Sequence, residues 1–169
     1  YRQAINFGEV IVPELLANII RGPYIQNTTD TSTQIIWNTL SPVAASILYG
    51  TNTSSITRAE VSANSTNHVA TITNLLAGTE YVYRVLNRFS TNETATEWRS
   101  FRTFKSGGAV TFNVVGDSGW GSNQQLVIAD RMREAPADFL MHLGDLVYYA
   151  ITRMNADLRL FSVYREEMR

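Results

Sequence analysis

Two aspartates and a tyrosine are the residues whose types and spacing point to chemistry. Asp117 stands in Gly116-Asp117-Ser118-Gly119 and Asp145 in Gly144-Asp145-Leu146-Val147-Tyr148, and each Gly-Asp pair closes an apolar run. Carboxylates that converge repel each other, and a bound cation is the usual remedy. Tyr148 lies in the same loop as Asp145, close enough along the chain to turn its phenol towards that cation. A phenolate is a hard anionic donor suited to a trivalent metal, and a cation would lower the phenol pKa by direct attraction. A single Gly-Asp is a common turn dipeptide without function. Two copies flanking one supersecondary unit, with the tyrosine in register, point to a cation site.

The elements that must position these groups follow from residue pattern. Val110 to Val115 is β-branched and aromatic, with no helix former, and reads as a buried strand. From Asn123 to Glu134 the apolar Leu126, Val127, Ala129 and Met132 return at helical spacing, and Pro136 closes that helix. Phe139 to Leu143 reads as a second buried strand. Strand, helix and strand in this succession predict a βαβ unit with parallel strands. Both aspartates then sit just past the carboxyl ends of their strands, where open α/β sheets place ligands. Asp138 is expected to start the second strand or to meet the preceding helix. His142 is expected to be a packed strand residue, and Tyr149 to be loop or core.

Composition limits the remaining choices. With 169 residues, 44% hydrophobic and 17% charged, the chain suits one ordinary domain or two small ones. A formal net charge of -1 argues against a phosphate-backbone binder, so no nucleic-acid partner is expected. The chain has no cysteine, which excludes a disulfide framework, a thiolate metal site and a cysteine nucleophile. No apolar run approaches the roughly 18 residues of a membrane span. The chain begins at Tyr1 without methionine or a signal peptide, as expected of a processed or excerpted polypeptide.

Residues 1–20 read as an N-terminal arm, an edge strand or a segment packed on the adjoining domain, with a strand donated to a neighbouring molecule as the alternative. Residues 21–105 read as all-β. Tyr24-Ile25-Gln26, Gln34 to Trp37, Ser46 to Tyr49, Val69 to Ile72, Glu80 to Leu86 and Trp98 to Phe104 are short strands separated by polar turns. Leu76 to Tyr81, a leucine-led turn before a strand tyrosine, resembles the tyrosine corner of immunoglobulin-like sandwiches. Trp37 is the expected central core aromatic. The segment resembles a fibronectin type III-like β-sandwich. Asn27, Asn52, Asn64 and Asn92 each open an N-glycosylation acceptor pattern, all within expected turns, and lean the reading towards an extracellular, secreted protein. Lys105-Ser106-Gly107-Gly108 reads as the linker to residues 109–169.

Gly116-Asp117-Ser118-Gly119, Pro136-Ala137-Asp138-Phe139 and Leu143-Gly144-Asp145-Leu146-Val147-Tyr148 resemble the first two metal motifs of purple acid phosphatases, a branch of the calcineurin-like metallophosphoesterases. Arg21-Gly22-Pro23-Tyr24-Ile25-Gln26, Ile36-Trp37-Asn38-Thr39 and Tyr49-Gly50 resemble the sandwich that precedes their catalytic domain. Phe161 to Arg165 resembles the helix after the second motif. The wider superfamily usually has a histidine where this chain has Gly119, which favours the purple acid phosphatase branch. The resemblance implies that Asp117 ligates a trivalent iron, that Asp145 bridges two metals and that Tyr148 binds the iron as phenolate. It implies a binuclear centre, iron with iron, zinc or manganese, acting as a Lewis acid on phosphate esters and activating water.

The family's later Gly-Asn-His-Asp/Glu motif, lone histidine and Gly-His-x-His motif do not occur in residues 1–169. The expected architecture is therefore a β-sandwich followed by an incomplete α/β metallophosphoesterase domain, a βαβ unit plus helix. A parallel strand pair with one face uncovered would expose apolar surface. The expected function is the N-terminal part of a metal-dependent phosphomonoesterase, inactive on its own and completed by a longer chain or a complementary one. The alternative is a non-catalytic module of an extracellular assembly with a remnant metal site, working through self-association or its surfaces.

Overall fold

A computed structural model describes residues 18–135 and 137–168. The arm assigned to residues 1–20, apart from its last three, lies outside these, as does Pro136. The chain separates into two compact units that meet between Ser106 and Gly107.

Among its described residues the first unit is a β-sandwich of six strands: β1 (Ile19–Gln26), β2 (Thr33–Asn52), β3 (Ser55–Ile72), β4 (Glu80–Phe89), β5 (Asn92–Ala95) and β6 (Arg99–Arg102). All pairings are antiparallel. Strands β2 and β3 are long and change register between Asn38 and Ala45. Pro42, which cannot donate to a ladder, falls in that break. The first part of β2 pairs with β1 and the end of β3, while its second part pairs with β4 and the start of β3. The two segments expected as separate strands, around Trp37 and around Tyr49, are thus one bent strand serving both layers.

Alternation in β2 sends Thr33, Ile35, Trp37 and Thr39 inward, as the two-residue period of a strand requires. Of these, Ile35 and Trp37 meet Ala45, Ile47, Ala70, Ile72, Tyr81, Tyr83, Val85 and Phe101 in one core. Trp37 is fully buried, as expected. Its indole donates to Asn87 Oδ1 at 3.1 Å, and its ring stacks on buried His68 at 5.0 Å. His68 in turn faces Ser62 Oγ at 2.7 Å and Thr39 Oγ1 at 3.1 Å. The tyrosine corner forms: the Leu76 amide donates to Tyr81 Oη at 2.9 Å.

Residues 55–68 depart from expectation. Their polar composition suggests a turn, yet they form most of β3. Pairing with β2 satisfies the backbone, so the strand needs no apolar alternation of its own. Asn64 therefore lies in a strand rather than a turn; Asn27, Asn52 and Asn92 lie at a bend or a strand end, and all four are exposed.

The second unit holds β7 (Phe112–Val115), α1 (Asn123–Glu134), β8 (Phe139–His142) and a short helix α2 (Arg153–Ala156) that continues as a π turn through Phe161. Strands β7 and β8 are parallel, with Phe112 opposite Phe139 and Val115 opposite His142. Helix α1 spans the expected residues, and Ser122 caps it by accepting from the Gln125 amide at 3.3 Å. Val115, Ala129, Val163 and Tyr164 form the core of this unit, with Leu126, Met132, Leu140 and Leu160 against them.

The two strands are not buried as expected. Phe112, Val114, Met141 and Leu143 are 50%, 46%, 41% and 67% exposed. Among the described residues helices cover one face of the pair, where parallel sheets are normally covered on both.

Candidate functional site

Strand β7 delivers Asp117 and strand β8 delivers Asp145, each just past its carboxyl end. Beyond the last paired residues the two chain segments continue to hold each other. The Leu143 amide donates to the Val115 carbonyl at 2.8 Å, Gly119 N–H to the Asp145 carbonyl at 2.9 Å, and Tyr148 N–H to the Gly119 carbonyl at 2.9 Å. At Gly119 the two backbones run too close for a side chain. A Cβ there would meet the Val147 amide nitrogen and lie 2.5 Å from both the Leu146 carbonyl carbon and Val147 Cα. No side chain fits at this position, which accounts for glycine standing where a histidine could have been.

The backbone is bent to present both carboxylates. Asp117 (φ 51°) and Asp145 (φ 49°) adopt the left-handed conformation, which aspartate tolerates better than most residues. Tyr149, with φ 68°, does so without that tolerance and is 79% exposed, so it belongs to the loop and not to the core.

All three sequence-selected residues come together. Tyr148 Oη donates to Asp117 Oδ1 at 2.8 Å across 31 positions of chain. That hydrogen bond, with the nearby negative charge of Asp145, raises the phenol pKa above its ordinary value of 10.0. Two carboxylates favour the protonated phenol, and a cation among them would reverse the effect. Among the described residues no group of three or more His, Cys, Asp and Glu is gathered as for a metal ion; the third member here is a tyrosine.

Four residues that sequence reasoning did not select shape the site. Ser118 is buried, and its Oγ lies 2.8 Å from His142 Nε2, while His142 Nδ1 accepts from Gly144 N–H at 3.3 Å. Burial lowers the His142 pKa and keeps the ring neutral at pH 7. The alternation of β8, which puts His142 on the same face as Leu140, was the available signal. Trp120 lays its ring against Tyr148 at 4.5 Å and meets Tyr149 edge-on at 5.5 Å. Arg159, from the π turn, donates to the Tyr148 carbonyl at 2.9 Å. Asp138 starts the approach to β8 and its carboxylate accepts from the Thr111 amide at 2.8 Å, which fixes the entry to β7.

The chain thus joins a β-sandwich unit to a βαβ unit whose carboxylates and phenol gather past the strand ends. Residues 21–103 match the family described as purple acid phosphatase, N-terminal domain. Among solved structures, one titled "Structure of PhoD" shares the fold with a TM-score of 0.56 at 14% identity, over 74% of this chain and 27% of that one. The chain thus spans well under half of that structure's length. A fibronectin type III domain derived from human KIAA0970 protein aligns at a TM-score of 0.44 and 15% identity, over 58% of this chain and 81% of that one. No curated protein sequence matches.

Proposed function

We propose that the chain is the N-terminal part of a metal-dependent phosphomonoesterase of purple acid phosphatase type, with Asp117, Asp145 and Tyr148 as metal ligands. The observation that carries this reading is the convergence of the Tyr148 phenol on Asp117, brought from separate loops to 2.8 Å. The donor set fits the group: all three side chains offer hard oxygens, and the phenol proton lies where a cation would take its place. A trivalent iron with a second iron, zinc or manganese would supply Lewis-acid polarisation of a phosphate ester. Asp117 and Asp145 would hold and balance that charge, and Tyr148 would give up its proton on binding. Trp120 screens one face of the phenol from water, and Arg159 holds the Tyr148 backbone in place.

Residues 109–169 are, in this proposal, the first part of the metallophosphoesterase domain. Two observations support it. The match to the PhoD structure covers a larger share of this chain than residues 1–106 make up, so it extends into the second unit. The exposed side of β7 and β8, with Phe112, Val114, Met141 and Leu143, is the face that further elements of such a domain would cover. The chain by itself is then inactive towards phosphate esters, and a longer polypeptide or a complementary chain completes the site. The exposure of Asn27, Asn52, Asn64 and Asn92 supports a secreted, glycosylated protein.

Titrating the chain with ferric ion tests the ligand assignment. Iron bound by a phenolate absorbs visible light, and Tyr148→Phe should abolish that band while leaving the fold intact. A band that survives the substitution would refute the role of Tyr148.

A further inference from the structure

Strand pairing in the second unit ends at Val115 and His142, yet the two Gly-Asp loops must keep their carboxylates in register beyond that point. Backbone hydrogen bonds do part of this. Besides the Tyr148–Asp117 bond between the ligand side chains themselves, a second side-chain bond crosses between the segments, from His142 at the base of one to Ser118 in the other. Ser118 follows Asp117 in sequence, and Gly144 precedes Asp145. His142 contacts both.

The partners determine the state of the ring. Gly144 N–H has a proton to give, so His142 Nδ1 must present a lone pair. In a neutral imidazole the proton then sits on Nε2, and Nε2–H donates to Ser118 Oγ at 2.8 Å. On its other side the ring meets the buried Tyr164 edge-on, with centroids 5.9 Å apart. Helix-side packing thus fixes the plane of the imidazole, and its two nitrogens fix the two loops.

We propose that His142 is a positioning residue: as the Nε2–H tautomer it clamps the Asp117 loop to the Asp145 loop through Ser118 and Gly144. The clamp sets the spacing of the two carboxylates before any cation arrives. It makes no contact with a cation itself, since both nitrogens are engaged. Its consequence for metal affinity rests on the ligand reading above; its existence does not. Preorganisation of this sort resembles the outer-sphere partners of known metal sites, whose loss weakens binding.

Nitrogen-15 NMR of the full chain at neutral pH reads the tautomer directly. His142 should carry its proton on Nε2, and the Gly144 amide should exchange slowly. His142→Leu, which keeps contact with Tyr164 but removes both bonds, should speed Gly144 exchange; His142→Gln, whose amide can still donate to Ser118, should restore part of the protection. With ferric ion, Ser118→Ala and His142→Leu should bind roughly tenfold more weakly, with His142→Gln between them and the unsubstituted chain. An Nδ1–H tautomer, or Gly144 exchange equal in all three proteins, would overturn the clamp. Equal iron affinity in variants whose Gly144 exchange has changed would overturn its role in spacing the carboxylates. If the unsubstituted chain takes up no iron, the ligand reading fails, while the clamp is still decided by the tautomer and the Gly144 exchange.

Discussion

Replacing Gly119 by alanine tests whether the two loops are held apart by nothing but hydrogen atoms. The added methyl would lie 2.5 Å from the Leu146 carbonyl carbon and from Val147 Cα, where carbon atoms rest at about 3.5–4.0 Å. Relief therefore needs a shift of about 1 Å or more. The atoms that must move are backbone, so no rotamer change can absorb it. Overpacking of this kind costs about 1–3 kcal/mol. The same shift strains the two hydrogen bonds that Gly119 makes with Asp145 and Tyr148, each contributing about 0.5–1.5 kcal/mol. The total is up to about 2–6 kcal/mol, against a stability of about 0.05–0.15 kcal/mol per residue in a unit this small. Gly116→Ala is the internal control, because a methyl there meets only Leu143 Cβ at 3.6 Å, an ordinary contact. Among the described residues helices occur only in the second unit, so the helical circular-dichroism signal follows that unit alone. Gly119→Ala should lower its melting temperature by more than about 10 °C, and Gly116→Ala by no more than a few degrees, roughly. Equal melting of the two variants would refute the close approach of the loops.

Other perturbations address the sandwich and its acid sensitivity. Burial lowers the pKa of His68, so the folded state prefers the neutral ring. Its stabilising contribution is present above the unfolded pKa of about 6.5 and is lost as pH falls through that value towards the folded one. Urea midpoints read by Trp37 fluorescence should therefore drop on acidification, and His68→Gln should flatten that slope; an unchanged slope would refute the assignment. Tyr81→Phe removes the acceptor for the Leu76 amide and should cost about 1 kcal/mol in urea denaturation, with no change in the ferric titration. Asn87→Ala leaves the Trp37 indole N–H buried without this acceptor and should destabilise the sandwich by about 1–3 kcal/mol.

Much of the local structure is legible because it is encoded by neighbours in sequence. The apolar spacing from Leu126 to Met132 and the run before Gly116 predict helix α1 and strand β7 from short-range rules alone. Trp37 and the tyrosine corner are legible for the same reason: each is a local pattern whose partner lies in the same small domain. The start of β3 is not legible. Its residues are polar, and their strand conformation comes from pairing with a segment of β2 that no local rule identifies. Nor can the exposure of Phe112, Val114, Met141 and Leu143 be read residue by residue, since an apolar strand looks the same whether one face is covered or two.

By itself the sequence determined the residues that could hold a cation, the glycines that let them turn, and the parallel relation of the strands that carry them. Tertiary structure alone decided that Tyr148 reaches Asp117, that Gly119 leaves no room for a side chain, and that His142 and Ser118 join the two loops. The reason is physical. Conformational preference acts over a few residues, whereas contact between loops separated by a helix depends on how β7 and β8 align, and that alignment is set by packing against α1 and Tyr164.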